Sequence, residues 1–185
     1  TCSKIKMYFQ ENFPFHTEFR VAIALYKDVE NSKQLRNMIM DGAVEAALIK
    51  PSQIIDKTQL LSAANIAVHL HSCNKKITRN VHSEVLYSLS PTKQITNSFK
   101  TFGIQDNDSE LVAVVIHERD VDIDGILAPI DGTRIDIDEI SNYTNETSIK
   151  KTYKVTEPEL HIGTLLDAVL TRMATKNIIS FDKKS

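Results

Sequence analysis

The sequence predicts an α/β or α+β domain in which strands and helices interleave. Three observations carry this. Residues 19–27 alternate Val21, Ile23 and Leu25 with Ala22, Ala24 and Tyr26, the period of two that suits a strand. Residues 111–116 are an unbroken apolar run, the pattern of a strand covered on both faces. From 56 to 71 the spacing turns helical, and Leu60, Leu61, Ala64, Ala67, Val68 and His71 share one face. Elements of both kinds in alternation imply two packed layers, with the strand order left open.

The remaining elements follow along the chain. Asn31 is placed to cap a helix, with Gln34 as its capping-box partner. Leu35, Met38 and Ile39 form that helix's apolar stripe, and Gly42 stands where a left-handed C-cap belongs. Residues 44–49 read as a second strand, stopped by Pro51. After a basic turn at 75–79, residues 83–89 suit a short helix ended by Ser90-Pro91. Ile95, Phe99 and Phe102 fall at helical spacing, with Gly103 as the stop. Ile135 and Ile137 alternate with Asp136 and Asp138, which fits an edge strand or a helix start. Leu165, Leu166, Val169, Leu170 and Met173 make the stripe of a closing amphipathic helix.

The chain has 185 residues, 42% of them apolar and 25% charged, the size and composition of one globular domain. The reading is therefore a single domain over 1–185, with 1–12 and 177–185 as loosely ordered tails. No run of 18 apolar residues occurs, and the first residues lack the apolar core of a secretory signal, so an intracellular protein is expected. Two cysteines, Cys2 and Cys73, make neither a disulfide framework nor a CxxC site. The three sequons, at Asn107, Asn142 and Asn145, are read as chance. Net charge is -2, but unevenly spread. Residues 75–103 carry five basic side chains against Glu84 alone, and 105–147 carry twelve acids against Arg119 and Arg134. A near-neutral balance excludes a generic nucleic-acid coat and leaves room for a local RNA contact.

Little in the chain suggests catalysis. Five glycines form neither a GxGxxG nor a Walker loop, so no phosphate cradle is present. His69 and His71 are two apart on a helix and face different ways, which is wrong for a shared metal. His82-Ser83-Glu84 has the residue types of a triad without its geometry, and Ser83 is better read as a helix N-cap. Cys73 ends a helical pattern and suits a small apolar role. Asp120-Val121-Asp122-Ile123-Asp124-Gly125, with Asp131 at the twelfth position, matches the opening of a calcium loop. A strand pattern stands where the entering helix should be, Pro129 interrupts the exit, and Asp replaces the usual Glu. The residues alone thus point to a binding or scaffolding domain, not an enzyme, with no cofactor or metal site. A calcium-binding module through the 120–131 loop is the alternative.

Several blocks carry a family resemblance. They are Thr78-Arg79-Asn80-Val81-His82-Ser83-Glu84, Leu89-Ser90-Pro91, Phe102-Gly103-Ile104, and Gly163-Thr164-Leu165-Leu166-Asp167-Ala168-Val169 with Arg172-Met173. Tyr153, Gly42, Ile49-Lys50-Pro51 and Ala63-Ala64-Asn65 stand in the same order. In these the chain resembles the PRPK-binding protein (TPRKB) family over roughly residues 13–179, and departs from it most at 118–134. The resemblance implies a compact α/β domain with helices on a mixed sheet. It also implies a non-catalytic adaptor subunit of the KEOPS/EKC complex, which installs threonylcarbamoyl on the adenosine beside the anticodon of ANN-decoding tRNAs. A PRPK-type small kinase/ATPase would be its direct partner. The threonylcarbamoyltransferase and other KEOPS subunits would be indirect partners, and the tRNA 3′ end a further contact. Nucleus and cytoplasm are the expected locations, with a link to telomere maintenance.

Within that frame, apolar side chains left over by the core would serve the kinase. The candidates are Val81, Val85, Leu89 and Pro91 around the short helix and Leu166, Leu170 and Met173 on the last one. Lys75, Lys76, Arg79 and Lys93 are the candidates for RNA phosphates. The apolar tail Ile178-Ile179-Ser180-Phe181 would dock on the domain or on a partner.

Overall fold

The computed structural model describes residues 7–176. Phe9–Asn12 (β1), Phe19–Lys27 (β2), Ala47–Ile49 (β3), Leu111–Glu118 (β4) and Thr133–Ile135 (β5) form one sheet of order β1-β2-β4-β3, with β5 also pairing β2. The helices are Ser32–Met40 (α1), Lys57–Ser72 (α2), Val81–Leu89 (α3), Ile95–Phe102 (α4), Ile123–Leu127 (α5), Glu146–Tyr153 (α6), Glu157–Leu160 (α7) and Leu165–Thr175 (α8). Pro51–Gln53 and Ile137–Asn142 are 3-10 turns.

Every strand pairing is antiparallel, which corrects the mixed sheet that the resemblance implies. The cause is topological. β2 and β3 run the same way, but β4 lies between them and runs opposite to both. The sheet also has a core on each face, so there are three layers rather than two. Val21, Ile23 and Leu25 of β2 join Val112, Val114 and Ile116 of β4 under α2, α3, α6 and α8. Ala22, Ala24 and Tyr26 join Leu111, Ala113 and Val115 on the other face, under α1 and α5. The alternate residues of β2 are apolar on both sides, as a sheet sandwiched between helices requires.

Other departures have local causes. Phe9–Asn12, expected within a loose tail, pairs with β2 from Phe9↔Ile23 to Asn12↔Arg20. Its polar residues 10–12 are exposed, so no buried alternation marks it in the sequence. Asn31 precedes α1 but does not cap it. Its side-chain amide donates to Pro129 O at 2.8 Å and its Oδ1 accepts from Asp131 N at 3.2 Å, pinning the 129–131 loop. Gly42 does take the left-handed conformation, at φ 76°, and Ala43 N closes the helix end on Met38 O at 2.8 Å. Of residues 44–49 only Ala47–Ile49 pair as strand, against Val114, Ala113 and Val112. Phe102 enters the core, whereas Phe99 is exposed and Ser98 takes the buried place. The 135–138 alternation splits into the end of β5 and a 3-10 turn capped by Asp136.

Candidate functional site

The basic turn is built by the junction of α2 and α3. Asp56 starts α2 by accepting from Thr58 N at 2.7 Å. The helix ends where Asn74 adopts φ 57° and Lys75 N bonds back to Leu70 O at 2.8 Å. Lys75 and Arg79 are then exposed, Lys76 half-buried, and Ile77 is 50% exposed. Asn80, not Ser83, caps α3: its Oδ1 accepts from Ser83 N at 2.8 Å. Asn80 is the residue with extended backbone just before the helix, and Ser83 already lies in its first turn.

Glu84 holds this turn from beneath. Its side chain is fully buried, and its Oε2 accepts from Ile77 N at 3.0 Å, Thr78 N at 2.8 Å and Thr78 Oγ1 at 2.6 Å. On the same helix, buried His82 accepts from Ile116 N through Nε2 at 3.0 Å. Burial pushes its imidazole down to about 4, so the ring stays neutral and fit to accept.

The candidate kinase residues divide. Val85, Leu89 and Met173 are buried in the core beneath the sheet's larger face, which corrects their assignment to a docking surface. On the nine-residue α3 the buried stripe is wide and claims Val85 and Leu89, and Met173 falls on the buried stripe of α8. Val81, Pro91, Leu166 and Leu170 keep part of their surface, and Val81 and Leu170 also pack on the core. Lys93 does not join the other basic residues. It follows the far end of α3, a helix about 13 Å long at 1.5 Å per residue.

The segment leading into α8 is tightly held. Thr164 and Asp167 form a reciprocal capping box, with Thr164 N to Asp167 Oδ2 at 3.0 Å and Asp167 N to Thr164 Oγ1 at 3.1 Å. Glu159 accepts from Thr156 N at 2.7 Å and from Arg172 Nη2 at 2.7 Å, which holds its carboxyl at about 2. Arg172 also donates to Lys154 O at 3.2 Å. Between these anchors Ile162 stands 91% exposed. The sequence reading missed Ile162 and Ile77. The available signal was an apolar residue inside a stretch with neither helical nor strand spacing.

The acidic loop is engaged otherwise. Asp124 pairs with Arg134 Nη1 at 2.8 Å, and Arg134 Nε donates to Tyr26 OH at 2.9 Å. α5 starts inside the calcium-like run, which keeps its carboxylates from closing into a loop. Among the described residues no three His, Cys, Asp or Glu side chains gather to hold a metal. The tail 178–181 lies outside the described residues.

The model of the kinase binding protein CGI-121 family matches residues 26–177. The chain is 42% identical to "EKC/KEOPS complex subunit TPRKB" of Danio rerio, over 93% of this chain and 99% of that protein. It is 33% identical to "EKC/KEOPS complex subunit cgi121" of Aspergillus terreus, over 76% of each. It is 32% identical to the subunit CGI121 of Yarrowia lipolytica, over 73% of this chain and 79% of that one. The matched span runs from the last two residues of β2 through α8 and takes in the basic turn, α3 and the 154–164 segment, so this chain belongs to the CGI-121 kinase binding protein family.

Proposed function

We propose that this chain is a non-catalytic subunit of a KEOPS/EKC assembly, an adaptor that docks a PRPK-type small kinase/ATPase and supports threonylcarbamoyladenosine formation on tRNA. The observation that carries it is the near full-length likeness to proteins named as subunits of that complex. The geometry supports a docking role for the start of α8. Ile162 and half-buried Leu166 offer apolar surface on a segment already fixed by two capping boxes and the Arg172–Glu159 pair. Little freedom remains there to be lost on binding, and a rigid apolar anchor ringed by polar groups is the usual form of an interface hot spot. Val81 and Pro91 at the two ends of α3 are the second contact.

The basic turn is the RNA-facing part. Lys75, Lys76 and Arg79 project from one fixed turn, and phosphate neutralisation by three cations gives a salt-dependent affinity. Nuclear and cytoplasmic residence accords with this role. The test is reconstitution of tRNA modification from purified subunits with and without this chain. Added chain raises the rate, whereas an unchanged rate refutes the reading.

A further inference from the structure

We propose that Glu84 is the positioning residue of the basic turn, a buried carboxylate that sets where Lys75, Lys76 and Arg79 stand toward an RNA backbone; this rests on the RNA-contact reading above. A fully buried carboxylate is costly unless hydrogen bonds replace its water. All the hydrogen bonds described for the Glu84 side chain come from the turn: two consecutive amides, of Ile77 and Thr78, and the Thr78 hydroxyl, all on Oε2. Its other oxygen, Oε1, is buried without a hydrogen-bond partner.

No need of the helix itself explains that arrangement. Asn80 caps α3, Asn74 closes α2, and Glu84 lies one place beyond the position from which a capping box reaches back. Its charge also meets the buried Lys176 ammonium at the end of α8, but every hydrogen bond its side chain accepts comes from the turn, so the carboxylate's placement serves the turn. Two successive N–H groups aimed at one point make a concavity for an anion. Glu84 fills it from inside, so a phosphate meets the outward side chains of Lys75, Lys76 and Arg79 and not the backbone. With Ile77 and Thr78 fixed, the residues on either side of them are fixed in register.

The experiment compares Glu84→Gln, Thr78→Val and Arg79→Glu for binding of an unmodified tRNA transcript at fixed salt, with amide exchange at Ile77 and Thr78. Glu84→Gln removes a negative charge beside the turn, so charge alone makes it bind RNA more tightly. Positioning makes it bind at least about threefold more weakly, as when part of one phosphate contact is lost, with faster exchange at both amides. Thr78→Val keeps the carboxylate and both amides, so it folds where Glu84→Gln does not, and it shifts both readouts the same way by less. Arg79→Glu weakening RNA while Glu84→Gln and Thr78→Val leave it unchanged or tighter overturns the positioning role. No effect of Arg79→Glu refutes the RNA reading itself, and this inference with it.

Discussion

Lys176 sets its ammonium 3.4 Å from the centre of the Tyr87 ring and donates to the Tyr87 carbonyl oxygen, joining the end of α8 to α3. A cation over an aromatic face that also bonds a helix's last-turn carbonyl gains twice, from the ring quadrupole and from the negative end of the helix. The two helices that carry the candidate docking residues thus meet at their C-terminal parts. Leu166 lies at the other end of α8, about 15 Å away at helical rise.

Burial of Lys176 lowers its ammonium to about 7, although Glu84 pulls it upward. In the unfolded chain the same group keeps its proton up to its ordinary value near 10.5. Across that window the unfolded state binds more protons, so stability rises with pH. Urea unfolding of the parent and of Lys176→Met between pH 7 and 10 shows the parent gaining relative to the variant. Parallel curves contradict it.

His82 gives a second window at lower pH. Its folded value of about 4 lies below its ordinary 6.5, so the stability linked to its neutral form is whole above pH 6.5. It is lost as pH falls toward 4, by up to about 3 kcal/mol. His82→Gln, which retains an acceptor for Ile116 N, flattens that decline. An unchanged acid limb in urea titrations counts against a buried, neutral imidazole.

Leu89→Ala opens a cavity in a fully buried site and lowers stability by about 2–5 kcal/mol, read from the denaturant midpoint. Leu89→Glu therefore unfolds the domain and reports nothing about docking. By contrast, Ile162→Asp changes stability by no more than about 0.5 kcal/mol, because 91% of the side chain already faces water. A large loss of stability in Ile162→Asp means that the residue is covered.

Arg172→Ala frees the Lys154 carbonyl and Glu159 together, so the 154–164 segment exchanges its amides faster and Glu159 titrates closer to an ordinary carboxyl. The variant removes the hydrogen bond and charge of Arg172, whereas the Thr156 amide and hydroxyl keep their hydrogen bonds and still hold the carboxyl below its ordinary value. Carboxyl titration by NMR checks it, and an unmoved Glu159 excludes Arg172 as a cause of its acidity.

Much of the fold was legible because local pattern and burial agree. β2, α2 and α8 each carry a period, and β4 an unbroken apolar run, that their packing uses, and Gly42 takes the conformation its place demands. The misses share a cause as well. β1 is an edge strand with one partly buried residue, so nothing in its four residues alternates toward a core. Asn31 has the identity of a cap but spends both side-chain atoms on a loop a hundred residues away. For the site, spacing marked the right segments and misjudged the faces. Val85, Leu89 and Met173 look like spare apolar surface until the larger sheet face is seen to need them. Lys93 was grouped by sequence nearness across a helix that separates it from the turn. Glu84, read as one member of a triad without its geometry, is the partner of backbone amides six and seven residues before it, a pairing that no motif records.

The most direct measurement is the affinity of the purified chain for its PRPK-type kinase, by size exclusion and calorimetry, with Leu166→Glu and Ile162→Asp beside Asp122→Asn in the acidic loop. The expected result is a stable 1:1 complex, weakened at least tenfold by either α8-side variant while both remain folded, and untouched by Asp122→Asn. No complex at micromolar concentration, or one indifferent to Leu166 and Ile162, contradicts an adaptor that docks its kinase through the start of α8.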